Sequence, residues 1–186
     1  KLEMSLAIAL GFVAYLRPTE LCTLKVSSFL APVQGAKHIL SHPAIGLFPQ
    51  GEGVSSKTKT FDDTVLLDGL VFPWLAGLLS TLVSKKNPAD DMWTFTQEAL
   101  VRVFSEVCVQ LGIQACLYML RHGGAAHDLL NELRDWAGVK ARGRWLTDVS
   151  VRRYAKSGTI QRYLTMCPVA VVDWGHSLGS LLEVAA

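Results

Sequence analysis

The sequence lacks the residue patterns that build disulfide frameworks and metal sites. No CxxC spacing occurs among its four cysteines, which are Cys22, Cys108, Cys116 and Cys167. This predicts reduced, buried thiols in an intracellular protein and argues against a disulfide framework or a zinc site. His122 and His127 are five residues apart, so a helix would hold them on different faces. We therefore expect no metal and no cofactor.

Long apolar runs are also missing. Two apolar stretches, at positions 4–16 and 69–84, contain 13 and 16 residues, whereas a membrane-spanning helix needs about 20. The first stretch follows Lys1 as a secretory signal would, but it lacks a small-residue cleavage site and runs directly into Arg17-Pro18. We interpret it as a core helix and expect no membrane contact.

A serine-hydrolase site is excluded by what is absent around one short motif. Gly175 to Gly179 reads GHSLG and matches the G-x-S-x-G elbow. That motif needs a preceding parallel strand and a later acid and histidine. Only seven residues follow it and none is histidine, so we interpret 169–184 as an apolar C-terminal helix.

The chain has enough hydrophobic residues for a core and an uneven distribution of charge. Half of its 186 residues are hydrophobic and 18% are charged, which predicts one folded domain. The net charge is only +2, yet the stretch 140–162 alone carries seven basic residues and one acid. Such a block predicts a polyanionic partner. Its basic members are Lys140, Arg142, Arg144, Arg152, Arg153, Lys156 and Arg162.

Hydrophobic patterning predicts an α+β domain that is mainly helical. Pro18 should end the first helix, which covers 5–16, and begin a short second one, placing Arg17 at the junction. Between 37 and 68 the short runs HIL, AIGLF and TVLL predict an antiparallel sheet of about three strands at one edge. Lys57 and Lys59 should lie in its last hairpin loop, where they could reach a phosphate backbone.

The rest of the sequence favours helices. Thr94 and Gln97 form a capping-box pattern, and 129–136 should continue a helix that Gly138 breaks. Gly123 and Gly124 stand inside a helical pattern at a cost of about 1 kcal/mol each. Such glycines permit the close approach of another backbone or of a ligand.

Four segments together resemble the tyrosine recombinases, the phage integrase family. LRPTELCTLKVSSF resembles the first arginine motif, SKTKTFDDTVLLD the hairpin lysine segment, and LYMLRHGGAAHDLL the second arginine box. RGRWLTDVSVRRYAKSG resembles the terminal box, with Trp145 nine residues before Tyr154. The segments occur in the family order. The stretches RHGGAAHD and FDDTVLLD resemble those of recombinases from DIRS- or Crypton-like mobile elements.

The resemblance implies a DNA strand transferase that works without metal or ATP on double-stranded DNA. Arg17 and Arg121 would bind the phosphate, and the Tyr154 hydroxyl would attack it to form a 3′-phosphotyrosyl intermediate. Lys57 would protonate the leaving 5′-oxygen, with Lys59 as the alternative, and Trp145 would donate its indole N–H. The DNA-binding residues would be Lys59, Lys140, Arg142, Arg144, Arg152, Arg153 and Lys156.

Two places depart from the family pattern: RGRW at 142–145 replaces the usual Leu-Gly-His of its box, and Tyr118 stands where the family most often has histidine. A phenol donates a hydrogen bond to phosphate but is a poor base at neutral pH, so we expect slower chemistry or help from His122. Two other functions stay open. A recombinase-derived module could bind DNA without cutting it, and a helical protein-interaction domain would do neither.

The resemblance also predicts how the chain is organised. We expect one catalytic domain over 1–186, with a core at 1–168, a tail at 169–186 and no N-terminal core-binding domain. The tail would pack on a neighbouring protomer, giving a homo-oligomer, a tetramer, on DNA. An intracellular location follows, in the nucleus of a eukaryote or in the cytoplasm or nucleoid of a bacterium or phage.

Overall fold

An apolar helix, α1 (Leu2–Val13), forms the centre of the fold and packs against α3 (Leu75–Val83) and α5 (Met119–Leu130). The computed structural model describes residues 1–35, 41–50, 53, 63–152, 157–175 and 177. A Cβ added to Gly124 would lie 2.0 Å from the carbonyl oxygen of Phe12. Only glycine therefore lets α5 come this close to α1, which confirms the prediction that a glycine here permits backbone approach.

A three-stranded antiparallel sheet lies beside these helices, as predicted. Its strands are β1 (Phe29–Leu30), β2 (Ala44–Leu47) and β3 (Asp63–Leu66), in the order β1-β2-β3. Ile45 pairs with Val65, and both are buried in the main core. The run HIL, predicted as a strand, lies outside the described residues, as do Lys57 and Lys59. Sequence reasoning missed β1, because two residues are too few to show alternation.

The short helix α2 (Pro18–Cys22) follows α1 and begins as predicted. Pro18 occupies its first turn and Arg17 is its N-cap. The helix α4 (Gln97–Gln110) begins differently, since its N-cap is Thr96, whose hydroxyl accepts from the Ala99 N–H at 3.3 Å. The Thr94 capping box was wrong because the Thr94 hydroxyl donates instead to Glu3 Oε2 at 2.6 Å.

The chain leaves the helical state after α5, earlier than predicted. Asp135 caps a new helix, α6 (Trp136–Arg142), and its Oδ1 accepts from the Gly138 N–H at 2.7 Å. The predicted break at Gly138 was therefore wrong, because the side-chain cap satisfies the N–H in the first turn of α6.

Three further helical segments complete the described chain. They are α7 (Asp148–Arg152), α8 (Ser157–Met166) and residues 169–175. No helix within the described ranges is long and apolar enough to cross a membrane.

A second, smaller core joins the end of α1 to α5, α6 and α7. Its buried members are Tyr15, Ala125, Val139 and Val151, and Trp145 packs against it. Burying a large apolar side chain stabilises a fold by about 1.5–3 kcal/mol, so this cluster holds the α1–α2 junction against the α6–α7 turn. The candidate site lies where these segments meet.

Candidate active site

Glu20 joins the first arginine to the rest of the site. The Arg17 N–H donates to Glu20 Oε2 at 2.7 Å, and the Arg17 guanidinium donates to Oε1. The Glu20 side chain is only 3% exposed, whereas that of Arg17 is 20% exposed. The carboxylate thus fixes Arg17 at the helix junction while leaving part of its guanidinium open to solvent.

Arg121 lies in the first turn of α5 and is almost fully buried. Its two Nη groups donate to the carbonyl oxygens of Tyr15 and Gly143, and Nη1 lies 3.9 Å from Glu20 Oε2. Burial, together with the nearby charge of Arg144, lowers the pKa of Arg121 to about 10. The guanidinium therefore remains charged at neutral pH, in an orientation set by backbone carbonyls.

Arg144 is a third arginine that contacts Glu20, beside Arg17 and Arg121, and sequence reasoning did not foresee this role. Its Nη2 donates to Glu20 Oε2 at 2.8 Å and to the Tyr15 carbonyl at 3.3 Å. Burial lowers its pKa from the usual value. We call Arg17, Arg121 and Arg144 the arginine cluster.

Within the described residues, the ion pairs of the arginine cluster join three positive charges to one negative charge. Glu20 is the one acid that pairs with its members among the described residues. Within the same part of the chain, the Nε atoms of Arg121 and Arg144 are buried without a hydrogen-bond partner. Buried charge is costly unless it is paired, so the arrangement favours binding of an anion.

Trp145 covers Arg121 on one side. The Arg121 Cζ lies 4.9 Å from the centroid of the Trp145 ring, within the range of a cation–π interaction. The preceding turn needs glycine, because a Cβ on Gly143 would lie 2.1 Å from the Trp145 ring. The structure therefore brings together three of the predicted catalytic residues, Arg17, Arg121 and Trp145.

Tyr118 stands at the N-cap of α5, one turn before Arg121, and is 43% exposed. Its ring meets that of His122 edge to face, with centroids 4.7 Å apart. The two rings are thus in contact, while help from His122 in the chemistry stays a prediction. Tyr118 faces solvent at the edge of the site and is available to a bound molecule.

The predicted nucleophile and general acid are not among the described residues. Tyr154 and Lys57 both lie outside them, as do Lys59, Arg153 and Lys156. Their roles stay predictions. No group of three or more His, Cys, Asp and Glu side chains within the described ranges could hold a metal ion.

The described members of the predicted DNA-binding surface have very different surroundings. Arg152 is exposed, and Lys140 is partly exposed and pairs with Asp148 at 2.5 Å. Arg142 is partly buried and donates from Nε to the Val13 carbonyl at 2.7 Å, and its Nη1 lies 3.6 Å from Asp68 Oδ2. That these residues contact DNA stays a prediction, and Arg142 has a structural role as well.

Sequence reasoning missed the acids that support the basic residues. The pattern Arg17-x-x-Glu20, an i,i+3 spacing at a helix start, was a local signal for Glu20. Asp68 accepts from Arg134, which is 66 residues further along the chain, and Asp128 accepts from the Tyr15 hydroxyl, which is 113 residues earlier. They were out of reach because their partners lie far along the chain.

The fold is shared with solved recombinases. The XerH site-specific recombinase bound to its difH substrate, in a pre-cleavage complex, superposes with a TM-score of 0.56 at 18% identity, covering 82% of this chain and 42% of that one. The post-cleavage complex on palindromic difH gives 0.57 at 19%, covering 86% and 43%. XerA recombinase gives 0.56 at 16%, covering 90% and 64%.

The likeness extends over most of this chain but over only part of those proteins. The chain spans less than half the length of XerH and under two thirds of XerA. No protein-family model matches the sequence, and no curated protein matches it either. At these identities the likeness concerns the fold, which is that of a tyrosine recombinase catalytic domain, as predicted.

Proposed function

Because the chain has this fold, we propose that it is the catalytic domain of a DNA recombinase that cuts and rejoins strands through a covalent 3′-phosphotyrosyl intermediate. The observation that carries the proposal is the arginine cluster, which holds three guanidinium groups around one carboxylate with Trp145 over Arg121. Forked, charged donors bind the oxygens of a phosphodiester well. A DNA phosphate would supply the negative charge that this site attracts.

The arginines would stabilise charge that develops on the phosphate during attack. The Tyr154 oxygen forms a bond to phosphorus while the bond to the 5′-oxygen breaks, so charge builds up on the non-bridging oxygens. Donors fixed in advance lower the barrier most when they face that developing charge. Arg17 and Arg121 bind those oxygens, and Trp145 and Tyr118 add neutral donors.

Proton transfer completes the cleavage step. On attack the Tyr154 hydroxyl passes its proton to His122, the neighbour of Tyr118, and the leaving 5′-oxygen takes one from Lys57, or from Lys59 if the hairpin register shifts by two. The phosphotyrosyl bond keeps the energy of the phosphodiester. Rejoining to another 5′-hydroxyl reverses the same steps and needs no ATP.

The basic stretch 140–162 would follow the duplex backbone, and the C-terminal segment would contact a second protomer. Met166, Val169 and Trp174 are 65%, 74% and 52% exposed, which is apolar surface suited to a partner. We propose a homo-oligomer, a tetramer, on DNA, with the termini of a mobile element as the natural substrate. Removing residues from Val169 onward should abolish DNA-dependent multimers, and unchanged assembly would refute this contact.

A suicide-substrate trap tests the chemistry without knowledge of the target site. A pool of nicked duplexes with randomised sequence is incubated with the protein, and SDS-resistant protein–DNA adducts are recovered and sequenced. The recovered sequence is then used as one defined substrate. We expect an adduct that disappears in Tyr154→Phe.

Matched arginine variants assign the role of the cluster. Arg17→Lys and Arg121→Lys should each reduce adduct formation by about 10²-fold, because lysine cannot reproduce forked donation. The control is Arg102→Lys on α4, whose side chain is 74% exposed, and it should react at the wild-type rate. DNA retention at low salt without any adduct would indicate a module that binds but does not cut. Absence of both signals would refute the recombinase function.

A further inference from the structure

Tyr15, just after α1, has an unusual backbone conformation at the centre of the site. Its φ is +48°, in the left-handed region that bulky residues rarely adopt. Arg144, which contacts the Tyr15 carbonyl, has a φ of +54°, so two residues with a left-handed backbone lie at one site. Backbone conformations of this kind persist only when several surrounding contacts hold them in place, and they are most frequent at functional sites.

The left-handed turn directs the Tyr15 carbonyl at two arginines. That oxygen accepts from Arg121 Nη1 and, at 3.3 Å, from Arg144 Nη2. One backbone oxygen therefore orients two of the three guanidinium groups in the arginine cluster. Movement of this carbonyl would move both donors together.

The Tyr15 ring is fixed on several sides. It is fully buried and stacks on Trp145 with centroids 6.2 Å apart and an angle of 24° between the rings. Arg142 Cζ lies 5.6 Å from its centroid. Gly124 also faces the ring, where an added Cβ would come within 2.9 Å of Cδ1. The Tyr15 ring thus connects Trp145, which covers Arg121, to α5, the helix that carries Arg121.

The Tyr15 hydroxyl is anchored to α5 as well. It donates to Asp128 Oδ2, and Asp128 also accepts from Arg134. Asp128 follows Arg121 by seven residues, which is about two helical turns. Burial, with the hydrogen bond to Asp128, raises the pKa of Tyr15, so the hydroxyl stays protonated and donating at neutral pH.

We propose that Tyr15 is a positioning residue, whose ring and hydroxyl fix its backbone so that its carbonyl sets Arg121 and Arg144 for the scissile phosphate. This deepens the proposed function and rests on it for the phosphate. Glycine would adopt the same φ without strain, but it would supply neither the stacking on Trp145 nor the bond to Asp128. The side chain therefore offsets an unfavourable backbone conformation.

The first test is independent of DNA chemistry. The Nε–H signal of Arg121 is assigned by its loss in Arg121→Lys and is followed by NMR in Tyr15→Phe and Tyr15→Gly. We expect the signal to shift and its hydrogen exchange to accelerate at least about tenfold in both variants, because the backbone carbonyl that accepts from the guanidinium is no longer held in place. The control is Leu79→Ala on α3, which removes a fully buried core side chain and should leave the signal in place. An unchanged signal in both Tyr15 variants would overturn the proposal.

The second test separates positioning from a loss of folded protein. Adduct formation at saturating DNA should fall by about 10²-fold in Tyr15→Gly and by about tenfold in Tyr15→Phe, since small misplacements have effects of this size. DNA affinity should stay within about threefold, because the guanidinium charges remain. If both variants lose rate and affinity only as much as Leu79→Ala does, Tyr15 is merely structural. If the wild-type protein forms no adduct, the proposed function fails while the NMR result still decides the role of Tyr15.

Discussion

Glu20→Gln is the sharpest single perturbation of the arginine cluster. The substitution keeps the size of the side chain and one acceptor oxygen, but it removes the one negative charge that pairs with all three arginines. The Glu20 side chain is 3% exposed, so water replaces little of the lost interaction. The local charge rises from +2 to +3.

The magnitude follows from the distances around Glu20. Oε2 lies 2.8 Å from Arg144 Nη2 and 3.9 Å from Arg121 Nη1. A pair of unit charges about 4 Å apart interacts by roughly 4 kcal/mol at an effective dielectric constant near 20. Removing one partner of a buried pair destabilises a protein by about 3–5 kcal/mol. Because glutamine keeps one hydrogen bond, we expect a loss of about 3 kcal/mol in the free energy of unfolding.

Urea unfolding followed by circular dichroism measures this loss, with and without sulfate as a phosphate mimic. The matched control is Glu106→Gln, which weakens an exposed i,i+4 contact to Arg102 at 4.0 Å and should change stability by at most about 0.5 kcal/mol. Sulfate should stabilise Glu20→Gln more than wild type, since the extra positive charge binds the anion more tightly. Equal unfolding of the two variants, or an equal effect of sulfate on Glu20→Gln and wild type, would refute the electrostatic account of the cluster.

Three other substitutions test separate parts of the site. Burial opposes ionisation of Asp128, but hydrogen bonds from His127 and Tyr15 hold the pKa of this carboxyl below its usual value. The ionised carboxylate therefore stabilises the fold above about pH 4. This stabilisation is lost as the pH falls through the lower pKa of the folded state. Acid unfolding should thus be less steep in Asp128→Asn, and an identical pH profile would contradict this. Tyr118→His should speed adduct formation at least about tenfold at neutral pH, because imidazole is the better base there; a slower rate would count against a catalytic position. Arg152→Gln should reduce the slope of log affinity against log salt by about 0.9 in a DNA titration, and an unchanged slope would remove Arg152 from the interface.

The sequence predicted those features that are set by residues close together in the chain. Pro18 restricts the residue before it, which located Arg17 at the junction of α1 and α2. Turn residues between short apolar runs located β2 and β3. The helical spacing around Arg121 indicated α5, although not its end.

Features whose causes lie far along the chain were missed. Thr94 does not cap α4, because its hydroxyl donates to Glu3, which is 91 residues away in the sequence. Arg142 and Arg144 looked like surface charges, because a count of basic residues does not reveal their buried acceptors, the carbonyls of Val13 and Tyr15. The left-handed conformation of Tyr15 was equally hidden, since tyrosine is not a residue that signals positive φ.

The arginine cluster and its supports explain why the buried charge does not unfold the domain. Asp68 and Asp128 neutralise Arg134, and burial lowers the pKa of Arg142 while the charges of both acids favour its ionised form. The positive charges of Arg134 and Arg142 are therefore matched by the negative charges of Asp68 and Asp128. Among the described residues, by contrast, Glu20 is the acid that forms ion pairs with Arg17, Arg121 and Arg144, so three positive charges share one negative partner. A fully paired cluster would be more stable but would have no charge left to stabilise a transition state, which is why the uneven pairing among the described residues supports the proposed phosphoryl-transfer function.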